Sequence, residues 1–147
     1  NCIFIFVGSG NDEEKLHQEA SMKGLKSYCR FMGYLPDAEC DHFYANTNLL
    51  IFPTYDTEGF AMALFKSVSA GLPVLTTKIR AAKDYLQEPD NLLWIKEKDP
   101  ACIAGAVNRM IAEKELLHNM SANNRRLGEK FSSENVANLM TGIFESV

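Results

Sequence analysis

Three groups of residues in this 147-residue chain have types and spacings suited to chemistry on a phosphate. In the first, Thr57-Glu58-Gly59-Phe60 leads into the apolar stretch 61–70, which ends at Gly71. If that stretch is a helix, its first N–H groups lack partners within the helix and its dipole is positive there, so an anion is favoured. Gly59 would let a ligand approach the backbone closely. Glu58 is itself an anion at that place, and it would stabilise a helix start with or without a ligand. Lys66 follows eight residues later, a little over two turns, so the two side chains point to roughly the same side.

The second group, Gly8-Ser9-Gly10, follows an apolar run. It could bring backbone up to a diphosphate, and a tight strand-to-helix turn explains it equally well. The full G-x-G-x-x-G pattern is absent, because position 13 is Glu13. In the third group, Arg80-Ala81 follows another apolar strand candidate, with Asp84 close behind. Arg80 could touch a phosphate there, or simply face solvent.

Positioning these groups requires alternating strands and helices. Residues 2–7 are a continuous apolar run rich in β-branched and aromatic types, suited to a strand buried on both faces of a parallel sheet. Residues 11–22 read as a helix with acids in its first turn and Gly24 as its stop. Strands are expected at 27–32, 48–52, 73–76 and 91–95, and helices at 38–45, 59–70 and 80–87. Trp94 falls inside an apolar strand and is expected in the core. From Asp99 the periodicity is helical, with Ile103, Val107, Met110 and Ile111 on one face, then Leu116, Leu117 and Met120. A final helix over 133–144 carries Val136, Leu139, Met140 and Ile143. Strands and helices alternating at this spacing make βαβ units with right-handed crossovers. The expected fold is therefore a Rossmann-like α/β domain: a three-layer, doubly wound parallel sheet followed by C-terminal helices from 99 to 147. In such sheets ligands sit beyond the carboxyl ends of the strands, where 8–10, 33–36, 54–58 and 77–81 all fall.

Composition narrows the alternatives. The net charge of −4 offers no basic excess for nucleic acid. Apolar runs such as 48–53 are too short to span a bilayer. Four cysteines, Cys2, Cys29, Cys40 and Cys102, form no C-x-x-C pair and have no histidine at ligand spacing, which argues against zinc and against a disulfide framework. A reducing, cytoplasmic setting is expected. His17, His42 and His118 are scattered, and Asn123-Asn124-Arg125-Arg126, with Glu129 nearby, reads as a solvated helix face. The opening Asn1-Cys2-Ile3-Phe4 reads as a strand already in progress, so a larger parent protein is expected.

Taken in order, several segments form a series: Phe6-Val7-Gly8-Ser9-Gly10, Phe31-Met32-Gly33-Tyr34-Leu35-Pro36, Phe43-Tyr44-Ala45-Asn46-Thr47-Asn48, Ile51-Phe52-Pro53, Glu58-Gly59-Phe60 and Ala70-Gly71-Leu72-Pro73-Val74. Asp99-Pro100, then Met120 to Arg125 and Phe131-Ser132, continue it. The series resembles the carboxyl-terminal, donor-binding domain of family 4 of the retaining GT-B glycosyltransferases. The resemblance implies transfer of a hexose from a nucleotide diphosphate sugar, such as a UDP- or GDP-hexose, to a glycan or lipid-linked acceptor. It implies retention of configuration and neither metal nor other cofactor. Glu58 would be the first acid of the family's Glu-x7-Glu signature, touching donor-sugar hydroxyls. The N–H groups of Phe60, Ala61 and Met62, beside Gly59, would hold the diphosphate. Tyr34 and Leu35 would line the nucleobase slot, Gly8, Ser9 and Gly10 would border the phosphates, and Arg80 would stand on the rim.

The departures from the family pattern carry their own expectations. Lys66 stands at the second acid, which in the family grips the ribose; a lysine donates only. Arg80-Ala81 replaces a pair of glycines common in the family. The family domain's first strand and helix, with a diphosphate-clamping Arg and Lys, have no counterpart, and neither has the acceptor-binding amino-terminal domain. A missing central strand would leave apolar surface along 2–7. The chain alone is thus expected to be inactive, with membrane contact, if any, left to the absent part. The alternatives are a degenerate, non-catalytic subunit and an epimerase on the same fold; the latter calls for additional acids and histidines that this sequence lacks.

Overall fold

The computed structural model describes residues 2–55 and 60–145. It consists of two compact units that meet in sequence between Phe43 and Tyr44. In the first unit, β1 (Phe4–Phe6) and β2 (Cys29–Phe31) are linked by α1 (Glu13–Met22) and run parallel, with Phe4 opposite Cys29 and Phe6 opposite Phe31. The Phe6 and Phe31 rings stack at 4.8 Å, and His17 of α1 lies 4.1 Å from Phe31. β1 is not buried on both faces. Within its two-stranded sheet it has one neighbour, and Ile3, Phe4, Phe6 and Val7 are 39–52% exposed. Cys2 is exposed as well. Helix α2 (Asp37–Asn46) crosses the boundary between the units.

The second unit holds three parallel strands, β3 (Leu50–Phe52), β4 (Val74–Thr76) and β5 (Leu92–Trp94), side by side in that order. Its helices are α3 (Met62–Ser69), α4 (Arg80–Tyr85), α5 (Pro100–Ala112), α6 (Lys114–Lys130) and α7 (Ser133–Glu145). Side chains alternate across the pleat with period two, and each face buries its own cluster. Leu50, Phe52, Val74, Leu92 and Trp94 pack with α3, α4 and the C-terminal end of α6. Leu49, Ile51, Leu75, Leu93 and Ile95 pack with α5 and the start of α6. A sheet covered by helices on both faces is the three-layer arrangement that the alternating pattern demands. Trp94 is half-buried against the first cluster rather than fully enclosed. Fully buried leucines such as Leu64, Leu75 and Leu92 anchor the unit, and truncating one to alanine typically costs about 2–5 kcal/mol.

Among the described residues no helix is long and apolar enough to cross a membrane. The expected strands and helices all form; the strands are shorter than expected, and α2 starts one residue early, at Asp37. Helix α3 begins at Met62, not at residue 59, because Ala61 is extended at φ −75°, ψ 94°.

Candidate functional site

The carboxyl edge of the β3–β4–β5 sheet is built by tying loops to strands. Thr76, the last residue of β4, donates from its Oγ1 to the carbonyl of Phe52 on β3 at 2.9 Å. Thr77 donates to the carbonyl of Thr54 at 2.5 Å. Both threonines are buried, so their hydroxyls must find acceptors, and the acceptors available are the carbonyls of the chain leaving β3. That chain then runs through Tyr55 into residues 56–59. Glu58 and Gly59 lie outside the described residues.

On the far side the chain re-enters at Phe60, half-exposed, whose ring stacks on buried Phe65 at 4.2 Å and 8°. Phe65 also meets Tyr85 and Phe131 edge-on at 5.8 and 5.7 Å. Ala61 caps α3 with no side-chain hydrogen bond, and the first bond of the helix runs from the Phe65 N–H to the Ala61 carbonyl. Helix geometry therefore leaves the N–H groups of Met62, Ala63 and Leu64 without partners inside the helix. They sit at its positive end, at the carboxyl side of the sheet. No acid occupies the first turn. Chemically, such an end can stabilise a phosphate or another anion without any rearrangement.

The other residues of interest fall as follows. Phe60, Ala61 and Met62 are contiguous at this helix start, and Lys66, half-buried and engaged with a neighbour, lies one turn inside α3. Arg80 is the exposed first residue of α4, which follows β4 and thus belongs to the same edge of the same sheet. Gly8, Ser9, Gly10, Tyr34 and Leu35 belong to the first unit. There the Gly8 N–H donates to the Gly33 carbonyl at 2.8 Å, joining the loops that follow β1 and β2. Gly8 (φ 134°) and Gly33 (φ 65°) both have backbones that other residues rarely adopt. Tyr34 is 75% exposed and Leu35 half-buried.

At the opposite, amino edge of the same sheet one residue departs from the sequence-based expectation. Asn124 is fully buried, not part of a solvated face. Its Nδ2 donates to the carbonyls of Leu72 (2.6 Å) and Asn91 (2.9 Å), and its Oδ1 accepts from the Asn91 Nδ2 (2.9 Å). Next to it, Arg125 lies across Gly71, where an added Cβ would come within 2.4 Å of the arginine side chain. A Cβ on Gly128 would stand 2.5 Å from the Ser69 Cα, so α6 presses directly on the end of α3. The signal was available in the spacing: Met120, Asn124 and Gly128 recur every four residues and form the buried stripe of α6.

Comparison with known proteins places this arrangement. An uncharacterized glycosyltransferase of Methanocaldococcus jannaschii, MJ1607, is 20% identical over 99% of the chain, which spans 37% of that protein. The capsular polysaccharide biosynthesis glycosyltransferase CapM of Staphylococcus aureus is 30% identical over 63% of the chain, covering 24% of that protein. Among solved structures, Anabaena Alr3699/HepE in complex with UDP superposes with a TM-score of 0.85 at 18% identity, over 99% of this chain and 41% of that one. The fold is thus the Rossmann-like fold of GT-B glycosyltransferases, and the chain spans less than half the length of each of these proteins. Residues 1–127 match the model of the family described as glycosyl transferases group 1, and the chain belongs to that family.

Proposed function

We propose that this chain is the donor-binding part of a retaining, metal-independent hexosyltransferase that uses a nucleotide diphosphate sugar. The observation that carries the reading is the start of α3: N–H groups with no partner inside the helix at the carboxyl edge of a parallel sheet, following Glu58-Gly59-Phe60 in sequence. HepE, which shares the fold, has been captured with UDP and with UDP-glucose, and this supports a uridine or related diphosphate as ligand.

In the proposed reaction the bond between the anomeric carbon and the diphosphate oxygen breaks, and charge grows on the departing diphosphate. The N–H groups at the start of α3 and the helix dipole lie fixed where that charge develops. Removing one preorganised donor of this kind typically costs about 2.7–4 kcal/mol of transition-state stabilisation. Glu58 would hold the hydroxyls of the transferred sugar, and Tyr34 and Leu35 the base. Gly8, Ser9 and Gly10 would border the phosphates, with Arg80 on the rim. An acceptor hydroxyl of a glycan or lipid-linked sugar, presented by an amino-terminal domain, would take the sugar on the same face, so that configuration is retained. CapM's part in capsular polysaccharide synthesis favours a glycan acceptor. The chain by itself would bind donor without turning it over, in the cytoplasm.

Lys66 favours a second reading. A half-buried lysine at the second signature position cannot accept from ribose hydroxyls, as expected of a degenerate, non-catalytic partner subunit. A thermal-shift titration with UDP, GDP and ADP separates the two readings. Ligand at about 100 times its dissociation constant adds roughly 2.7 kcal/mol, a shift of several degrees. A shift with one nucleotide, with matched nucleotide-sugar binding weakened in Glu58→Ala, supports a working donor site. No shift in the native protein, but one restored by Lys66→Glu, supports the degenerate subunit. No shift in the native protein or in Lys66→Glu would sink the donor-site reading.

A further inference from the structure

The loop that joins β5 to α5 has a backbone feature that the donor site above does not use. Lys98 adopts φ 53°, the left-handed region, and it is the only residue besides glycine with positive φ among the described residues. A non-glycine residue there costs on the order of 1 kcal/mol and persists only where its surroundings fix it. The surroundings do so on both sides. The Lys96 N–H reaches the Cys102 Sγ at 3.4 Å, the Asp99 carboxylate accepts from the Cys102 N–H at 3.0 Å, and Pro100 opens α5. From this anchored turn the Lys98 ammonium reaches 4.5 Å from the centre of the Tyr55 ring. Tyr55 is 59% exposed, so water competes for both groups, yet the cation lies within cation–π range. Tyr55 is also where the chain departs towards Glu58.

We propose that Lys98 is a positioning residue for the donor site: its cation holds the Tyr55 ring and so fixes where the chain leaves the sheet edge towards Glu58. The proposal rests on the donor-site reading for its effect on binding, but not for the brace itself. Two ties then set the entry to that segment, the Thr77 hydroxyl on the Thr54 carbonyl and the Lys98 cation on Tyr55. The exit is held separately, by Phe60 on Phe65. A glycine at 98 would suit the backbone better, so the lysine carries a local strain that glycine would not.

The test uses the whole protein, with amide exchange at Tyr55 and Phe60 and affinity for UDP-, GDP- and ADP-glucose as readouts. Lys98→Met should speed exchange at Tyr55 about two- to five-fold, the range of an exposed cation–π contact, and leave Phe60 unchanged. It should weaken the preferred nucleotide sugar by a similar factor, and Lys98→Arg should restore both. Lys98→Gly should raise Tm by relieving the left-handed strain while still loosening Tyr55. A residue with only a structural role would move binding and Tm in the same direction. Tyr55→Leu should match Lys98→Met, and combining them should add nothing. Unchanged exchange at Tyr55 in Lys98→Met, or losses that Lys98→Arg does not restore, would overturn the brace. If exchange responds but no nucleotide sugar binds the native protein, the brace stands and the donor-site reading fails.

Discussion

The two ends of α3 are held by opposite means. Its C-terminal end is clamped: Gly128 of α6 presses on Ser69, Arg125 covers Gly71, and Asn124 satisfies the carbonyl of Leu72 just beyond. Its N-terminal end opens onto the sheet edge, with Phe60 and Met62 49% and 60% exposed and no side-chain cap. The contrast would separate stability from the proposed donor binding along a helix of eight residues. Packing at one end can hold the other in place without occupying the N–H groups there. A ligand can then be met by backbone that does not have to rearrange.

The comparison can be broken first at the clamped end. Asn124→Ala would strip partners from the Leu72 and Asn91 carbonyls and the Asn91 amide, all in the interior. We expect a loss of about 3–4 kcal/mol in urea unfolding, at an unfolding cost of roughly 1–3 kcal/mol per orphaned group. Gly128→Ala places a Cβ against backbone and should cost about 1–3 kcal/mol through overpacking; a neutral result would mean that α6 can slide away from α3.

The middle case is Thr77→Val, at the base of the open end. It removes one buried hydrogen bond, to Thr54, and should cost about 0.5–1.5 kcal/mol in Tm-derived stability while also weakening nucleotide binding. The smallest stability effect belongs to Met62→Ser, which we expect to change stability by no more than about 0.5 kcal/mol because the side chain is 60% exposed. Its N–H remains, so nucleotide affinity should be preserved. A large drop in stability there would contradict the picture of an open end.

Much of the local structure was legible in the residues. The helix over 80–85 and the strand at 74–76 fall where Arg80 and Pro73-Val74 announced them, and the Asp99 cap with Pro100 behind it marks the start of α5. The order of segments from Phe6 to Ser132 pointed to the family, whose model matches residues 1–127. Other features were not legible. Asn123 to Arg126 looked like a charged, wetted turn of helix, yet Asn124 is among the most buried side chains in the molecule. The run 2–7 looked like a doubly covered strand, yet much of it is open to solvent. Helix α3 starts later than its composition suggested, because Ala61 is extended.

The sequence by itself determined the alternation of strands and helices and placed the apolar faces, since period and punctuation are properties of neighbours along the chain. Tertiary structure alone decided which polar groups are buried and which loops meet. Asn124 is tolerated inside because Asn91 and Leu72, 33 and 52 residues away, supply its partners. Lys98 meets Tyr55 because β3 and β5 flank β4 in one parallel sheet, which brings their carboxyl ends to the same edge. The free energy of burying a polar group is set by what lies across from it in space, and a window of local sequence does not contain that information.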